Sequence, residues 1–187
     1  MEAESKAAVA EDPIVACLRA GNPREALALS ARLHGASLGR FAMALLGNQA
    51  EADEVVQEAL LAAYDAMPGY RGESSIRAFL YGIVRHVAAK RLATRVRRER
   101  RLVLVRDADA ESSLPDEELA RWRRARRLRV ALEDLRPSER EVLLLRYEAG
   151  LSFREVGDAT GLDEATARKR TSRALARLRA VFGDEVG

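Results

Sequence analysis

The chain predicts an all-α protein: two small helical domains joined by a charged linker, the C-terminal one carrying a helix-turn-helix. Three observations carry that prediction. Strand signals are almost absent, the one short β-branched run being Leu102–Val105 inside a basic stretch. Apolar residues recur at helical spacing between Pro and Gly breaks. Near the C-terminal end, a short helical pattern, a glycine and a longer basic helical pattern follow one another, which is the helix-turn-helix order.

The elements follow in order. Residues 1–23 read as a poorly ordered N-terminal extension, broken at Pro13 and Pro23, with room for one short helix between them. A first domain is expected over 24–96. Its first pattern (Leu27, Leu33, Leu38, Phe41, Leu45, Leu46) ends at Gly47, and Gly35 and Gly39 weaken it enough to suggest two helices. A cleaner helix over about 49–67 stops at Pro68-Gly69. Ser74 or Ser75 caps a third, which runs through Phe79, Leu80, Ile83, Val84 and Val87. Residues 97–117 read as linker and 118–187 as the second domain.

That second domain holds the most informative stretch, Leu135–Arg179. Pro137 suits the first turn of a helix and Arg136 the extended residue before it. Val142, Leu143, Leu144, Leu145 and Tyr147 give an apolar run ending at Gly150. Ser152 with Glu155 three residues on forms a capping box for a short helix. Gly161 suits the positive φ of a tight turn, and Asp163 caps a final helix to about Val181. At ~100° per residue, Ala167, Thr171, Ala174, Leu175, Leu178 and Phe182 share one face of that helix. Arg168, Lys169, Ser172 and Arg173 share the other, which suits phosphates and guanine edges. Alone, such a face is more often merely solvated; after a Gly-turn helix pair it points to a major groove.

Charge is unevenly placed although the net is only +3. Lys90–Arg106 carries eight basic residues and one acid (+7), Asp107–Glu118 six acids (−6), and Leu119–Arg129 six arginines (+6). Such blocks suggest nucleic-acid contact on the basic parts and a polar, flexible tether between domains that move independently. Aromatic residues at 5% and charged residues at 33% suit small helical domains with thin cores. Cys17 is the only cysteine, so no internal disulfide forms, and His34 and His86 lack neighbouring ligands, so no metal site is expected. No apolar run approaches a membrane span. The acidic start MEAESKAAVAEDP has no signal-peptide core, so a reducing, cytoplasmic setting is expected. No carboxylate pair, metal cluster or nucleophile–base set appears, so neither catalytic residues nor a cofactor nor a small-molecule substrate is expected.

The helix over Ala52–Met67 splits into an apolar face (Val56, Ala59, Leu60, Ala63, Met67) and an opposite face of Glu54, Glu58, Leu61 and Asp65. An exposed leucine among acids looks like a docking surface for a basic partner, although most acidic helix faces are only solvated.

The run NQAEADEVVQEALLAAYDAMPGYRGESSIRAFLYGIVRHVAAKRL (Asn48–Leu92) resembles region 2 of the extracytoplasmic-function (ECF) sigma factors of bacterial RNA polymerase. Leu135–Arg179 resembles their region 4, in the family's order. The resemblance implies that Asp53, Glu54, Gln57, Glu58 and Leu61 meet the coiled coil of the core polymerase β′ subunit. It implies that the loop and helix start holding Tyr70, Arg71, Gly72, Glu73, Ser74, Ser75 and Phe79 melt the promoter −10 element and capture a flipped base. Arg85, Arg91 and Arg95 would touch phosphates. Thr166, Arg168, Lys169, Ser172 and Arg173 would read the −35 element. The implied partners are core polymerase (β′ coiled coil and β flap), promoter DNA and an anti-sigma factor.

Some positions depart from the family pattern. Thr171 stands where an apolar residue is common, Lys169 where a small one is, His86 for Asn and Phe79 for Trp. These bear on promoter preference, not on the fold. The chain stops at Gly187, just past the basic helix, so control by an attached sensory domain is not expected. Two other classes stay open: an operator-binding helix-turn-helix regulator, and a sigma-like decoy that captures an anti-sigma factor.

Overall fold

The computed structural model describes residues 12–99 and 116–182. Among them are eight α-helices, one 3₁₀ turn and no strand. The Leu102–Val105 run lies outside the described residues.

Helix α1 (Pro13–Arg19) starts at Asp12, whose Oδ1 accepts from the Ile14 N–H at 2.9 Å. Ile14 is fully buried, so this part of the expected loose extension is built into the core. Helix α2 (Pro23–Leu46) is one continuous element, not two. Gly35 and Gly39 each forfeit up to ~1 kcal/mol of helix propensity. Burial of Ala26, Leu29, Leu38, Phe41, Ala42 and Leu45 along one face outweighs that. Gly47 ends α2 in the left-handed conformation, φ 73°.

Asn48 then caps α3 (Gln49–Ala66), its Oδ1 accepting from the Glu51 N–H at 3.0 Å. A 3₁₀ turn (Met67–Gly69) leads to α4 (Ile76–Glu99). Ser75 caps α4 by accepting from the Ala78 N–H at 3.1 Å. Helix α5 spans Asp116–Glu133, so the stretch expected as linker lends its first three residues to α4 and its last two to α5.

The helix-turn-helix half comprises α6 (Pro137–Tyr147), α7 (Phe153–Thr160) and α8 (Glu164–Phe182). Pro137 opens α6 from an extended Arg136, and the Ser152–Glu155 capping box is formed on both sides. Gly161 takes φ 72° in the turn. The run Val142–Leu145 is buried whereas Tyr147 is exposed.

The charged linker suggested independent halves, but the two halves pack against each other through α4 on α7 and α2 on α6. One apolar cluster runs across both, joining Phe41, Leu80 and Val84 to Leu145, Leu151, Val156 and Ala159. Phe41 meets Tyr81 edge-on at 5.2 Å within it. Glycine eases the close approach at the crossing: a Cβ on Gly82 would lie 3.3 Å from the Ala159 carbonyl oxygen.

Gly157, on α7, is tighter still. A Cβ there would come within 2.6 Å of the Leu162 carbonyl oxygen, so the turn after α7 folds directly onto this glycine. Gly157→Ala is expected to destabilise by ~1–3 kcal/mol through overpacking, although Gly to Ala in an open helix gains up to ~1 kcal/mol. Denaturant unfolding compared with Gly35→Ala, whose Cβ meets nothing within 4 Å, reads the difference. A Gly157→Ala chain as stable as the parent would refute the close-packed turn.

Candidate nucleic-acid interface

Helix α8 presents its two faces as its spacing predicts. Ala167, Thr171 and Ala174 are buried against α6 and α7. Thr171, the polar residue on that face, is satisfied because its hydroxyl donates to the Ala167 carbonyl at 2.8 Å. Arg168, Lys169, Ser172 and Arg173 are all exposed. Arg168 is oriented by Glu164 at 2.9 Å and by stacking 4.8 Å over the Phe153 ring, which Arg146 also approaches at 5.0 Å.

Thr166 is half-buried and engaged: its N–H and hydroxyl donate to the two Asp163 carboxylate oxygens at 2.8 and 2.6 Å. These bonds hold the Asp163 carboxyl below its usual range. They fix the start of α8, so Thr166 serves the cap as well as any contact beyond it.

On α3, Asp53, Glu54, Gln57, Glu58 and Leu61 are all exposed together. Leu61 is 66% exposed on a helix whose other side is buried. Asp53 accepts from Gln49 at 2.7 Å, and Glu54 pairs with Arg91 of α4 at 2.8 Å. Arg91, expected on the DNA side, is thus tied to the acidic face of α3. Arg95 likewise reaches back, to the Leu46 carbonyl at 3.0 Å and Glu51 at 3.4 Å.

The loop before α4 leaves Arg71, Gly72 and Glu73 exposed, with Gly72 at φ 74°. Tyr70 is pinned: its hydroxyl donates to the Ser74 carbonyl at 2.5 Å and its ring leans on Phe79 at 5.3 Å. Phe79 therefore supports Tyr70 and is itself half-buried.

Ser75, although exposed, and half-buried Arg85 both reach the helix-turn-helix half. The Ser75 hydroxyl donates to Glu155 at 2.6 Å. Arg85 donates to the Ala159 carbonyl at 3.1 Å and pairs with Glu141 at 3.3 Å. Arg77 donates to the Ala149 carbonyl at 2.5 Å, and Arg40 pairs with Glu148 at 3.1 Å. No sequence signal marks Arg77, Gly82 or Glu141 for this contact, because their partners lie more than fifty residues away.

Among the described residues no group of three or more His, Cys, Asp or Glu side chains could hold a metal, and no helix is long and apolar enough to cross a membrane. His34 has its pKa lowered by burial and then by Arg77, partly countered by Asp12.

Residues 31–101 match the family Sigma-70 region 2, and residues 131–180 match Sigma-70, region 4. The ECF RNA polymerase sigma factor EcfG of Rhodopseudomonas palustris is 31% identical over 151 residues, 78% of this chain and 79% of that protein. The chain belongs to the ECF sigma factors. The ECF RNA polymerase sigma factor SigD of Mycobacterium tuberculosis is 36% identical to this sigma factor over 131 residues, 68% of this chain. That match spans only 61% of SigD. The fold of this sigma factor also resembles a structure of CnrH in complex with the cytosolic domain of CnrY, with TM-score 0.66 and 24% identity, covering 92% of this chain and 97% of CnrH.

Glu155 joins the α7 cap to the contact between the two halves. Burial raises its pKa, but hydrogen bonds from Ser75 and Ser152 and the charge of Arg77 outweigh this, and the net shift is downward. A carboxyl whose folded pKa is lowered stabilises above its unfolded pKa of ~4.3 and loses that contribution as pH falls through the folded value. The thermal midpoint of Glu155→Gln is therefore expected below the parent's at neutral pH. The gap should shrink below about pH 4. A gap independent of pH would show that the ionised carboxylate is not what holds Ser75 and Ser152.

Proposed function

We propose that this ECF sigma factor binds core RNA polymerase, recognises promoter −10 and −35 elements and promotes DNA opening for transcription initiation. The observation that carries this reading is the pairing, on one chain, of two exposed faces of opposite character. One is the acidic α3 face around Leu61; the other is the basic α8 face of Arg168, Lys169, Ser172 and Arg173. An operator-binding regulator needs only the second. The acidic face suits a basic helical partner, and the basic face suits a major groove. Asp53, Glu54, Gln57, Glu58 and Leu61 are the proposed polymerase contacts. Thr166, Arg168, Lys169, Ser172 and Arg173 are the proposed −35 contacts. Tyr70–Ser75, Phe79, Arg85 and Arg91 are the proposed −10 contacts. The β flap is a further proposed contact on core polymerase.

Promoter opening here breaks and makes no covalent bond on the protein. Binding energy drives it, much of it from phosphate neutralisation and counterion release, so it weakens steeply with salt. Arg85 reaches DNA only after leaving Ala159 and Glu141, and Ser75 only after leaving Glu155. Engaging Arg85 and Ser75 at −10 therefore requires the two halves to part, and the free energy of parting is subtracted from the affinity those contacts add. An anti-sigma factor that holds the halves together would silence the protein by the same route, and such a partner is part of the proposal.

The test is transcription in vitro with bacterial core polymerase and a pool of promoter fragments. Transcripts should depend on the protein. Arg173→Ala should lower their yield by the ~1–3 kcal/mol of one lost base or phosphate contact, roughly five- to 150-fold. Glu58→Arg with Leu61→Glu should abolish core binding while leaving duplex binding intact. Duplex binding without any protein-dependent transcript would instead indicate an operator-binding regulator.

A second expectation concerns parting of the halves. Gly82→Met places a side chain against Ala159 and should open them. It should lower the thermal midpoint yet raise affinity for promoter DNA in the presence of core polymerase. Lowered affinity with a lowered midpoint would contradict the requirement for parting.

A further inference from the structure

Helices α6, α7 and α8 meet at an edge organised around one aromatic ring. Phe153 opens α7, and the capping box of Ser152 and Glu155 fixes the backbone beside it. Its ring is half-buried. Two guanidinium groups lie over that ring, Arg146 of α6 at 5.0 Å and Arg168 of α8 at 4.8 Å. Arg146 is held in turn, because its Nη1 donates to the Leu151 carbonyl at 2.9 Å. Arg168 is held at a second point, donating to the Glu164 carboxylate one helical turn earlier at 2.9 Å.

The two arginines differ in exposure. Arg146 is half-buried and ties α6 to the start of α7, whereas Arg168 is exposed near the start of α8. In a helix-turn-helix, the first residues of the second helix reach the base edges. An arginine reads guanine by donating from two nitrogens at once, to O6 and N7, so the plane of its guanidinium must be correctly turned. A solvated arginine samples many rotamers and loses that freedom on binding. Glu164 occupies one of the N–H donors and leaves the others for a base. The ring restrains the guanidinium plane by stacking and takes no donor at all. An aliphatic side chain at 153 would keep the apolar bulk and lose this restraint.

We propose that Phe153 is a positioning residue for −35 recognition: its ring orients Arg168 and thereby determines how strongly guanine is preferred at the base pair Arg168 meets. This rests on the reading of α8 as the −35 contact. It adds to that reading a side chain of the preceding helix, outside the basic face of α8.

The experiment uses the full chain with bacterial core polymerase and double-stranded promoter fragments whose −35 segment is randomised. Retained molecules are sequenced, and the thermal midpoint of each variant is recorded. The unsubstituted chain should enrich guanine at a position where Arg168→Ala loses it. Phe153→Leu should weaken the preference at that same position roughly two- to fivefold, the size of one exposed cation–π contact. Preferences at the other positions should hold. Phe153→Tyr retains a ring face and should leave the pattern intact. With Arg168→Ala already present, Phe153→Leu should change nothing further at that position. An unchanged preference in Phe153→Leu overturns the positioning role. So does a loss spread evenly over all positions, or the same loss in Phe153→Tyr. Should Phe153→Leu also lower the midpoint, the Arg168→Ala background decides: a further change in preference there overturns the role. Enrichment that survives Arg168→Ala but disappears in Arg173→Ala overturns the proposal and keeps the −35 reading. Absence of any enrichment by the unsubstituted chain sinks that reading and the proposal with it.

Discussion

The crossing of α4 over α7 is the constraint on which the arrangement of this protein depends. Gly82 has no Cβ, and one placed there would press on the Ala159 carbonyl oxygen at 3.3 Å. Removing one methyl-sized obstacle lets two helices from opposite ends of the chain close on a shared apolar cluster. The polar contacts around the crossing follow from that proximity. Arg77 and Arg85 satisfy the Ala149 and Ala159 carbonyls, which lie at the ends of α6 and α7 where helical partners run out. The surrounding ion pairs are half-exposed and individually worth little. They set register, whereas the apolar cluster supplies most of the attraction.

That crossing also gives the protein a choice between two uses of one surface. Ser75 and Arg85 face the helix-turn-helix half here, yet they are the side chains proposed to meet DNA. Basic α8, by contrast, keeps Lys169, Ser172 and Arg173 exposed with the halves together. The proposed DNA contacts therefore differ in availability: α8 and the Arg71–Glu73 loop are presented outright, whereas Arg85 and Ser75 are engaged across the contact between the halves. The Glu54–Arg91 pair adds a link between the acidic α3 face and the basic side of α4. A partner that engages Glu54 would free Arg91 for phosphate.

Much of the local structure was legible in the residues. The Ser152–Glu155 capping box, the left-handed Gly161, Asp163 at the start of α8 and the division of α8 into two faces all depend on neighbours within one or two helical turns. The exposure of Leu61 was legible for the same reason, since helical periodicity assigns it to the acidic side of α3. The continuity of α2 was not. Propensity penalises Gly35 and Gly39 locally, whereas the compensation comes from packing against α1, α3 and α4. The short α1 was visible between two prolines, but its anchoring through Ile14 depends on the fold.

The sequence by itself determined the helical class, the helix-turn-helix, the caps and the two opposed surface characters, because each rests on composition and spacing along a single helix. Tertiary structure alone decided that the halves close on each other, that Arg85 and Ser75 are engaged between them, that Gly157 leaves no room for a Cβ, and that Gly82 sits in close contact with Ala159. Those outcomes depend on contacts between residues far apart in the chain. A side chain carries no local mark of a partner fifty or eighty residues away, and a glycine carries no local mark of the backbone that will press against it.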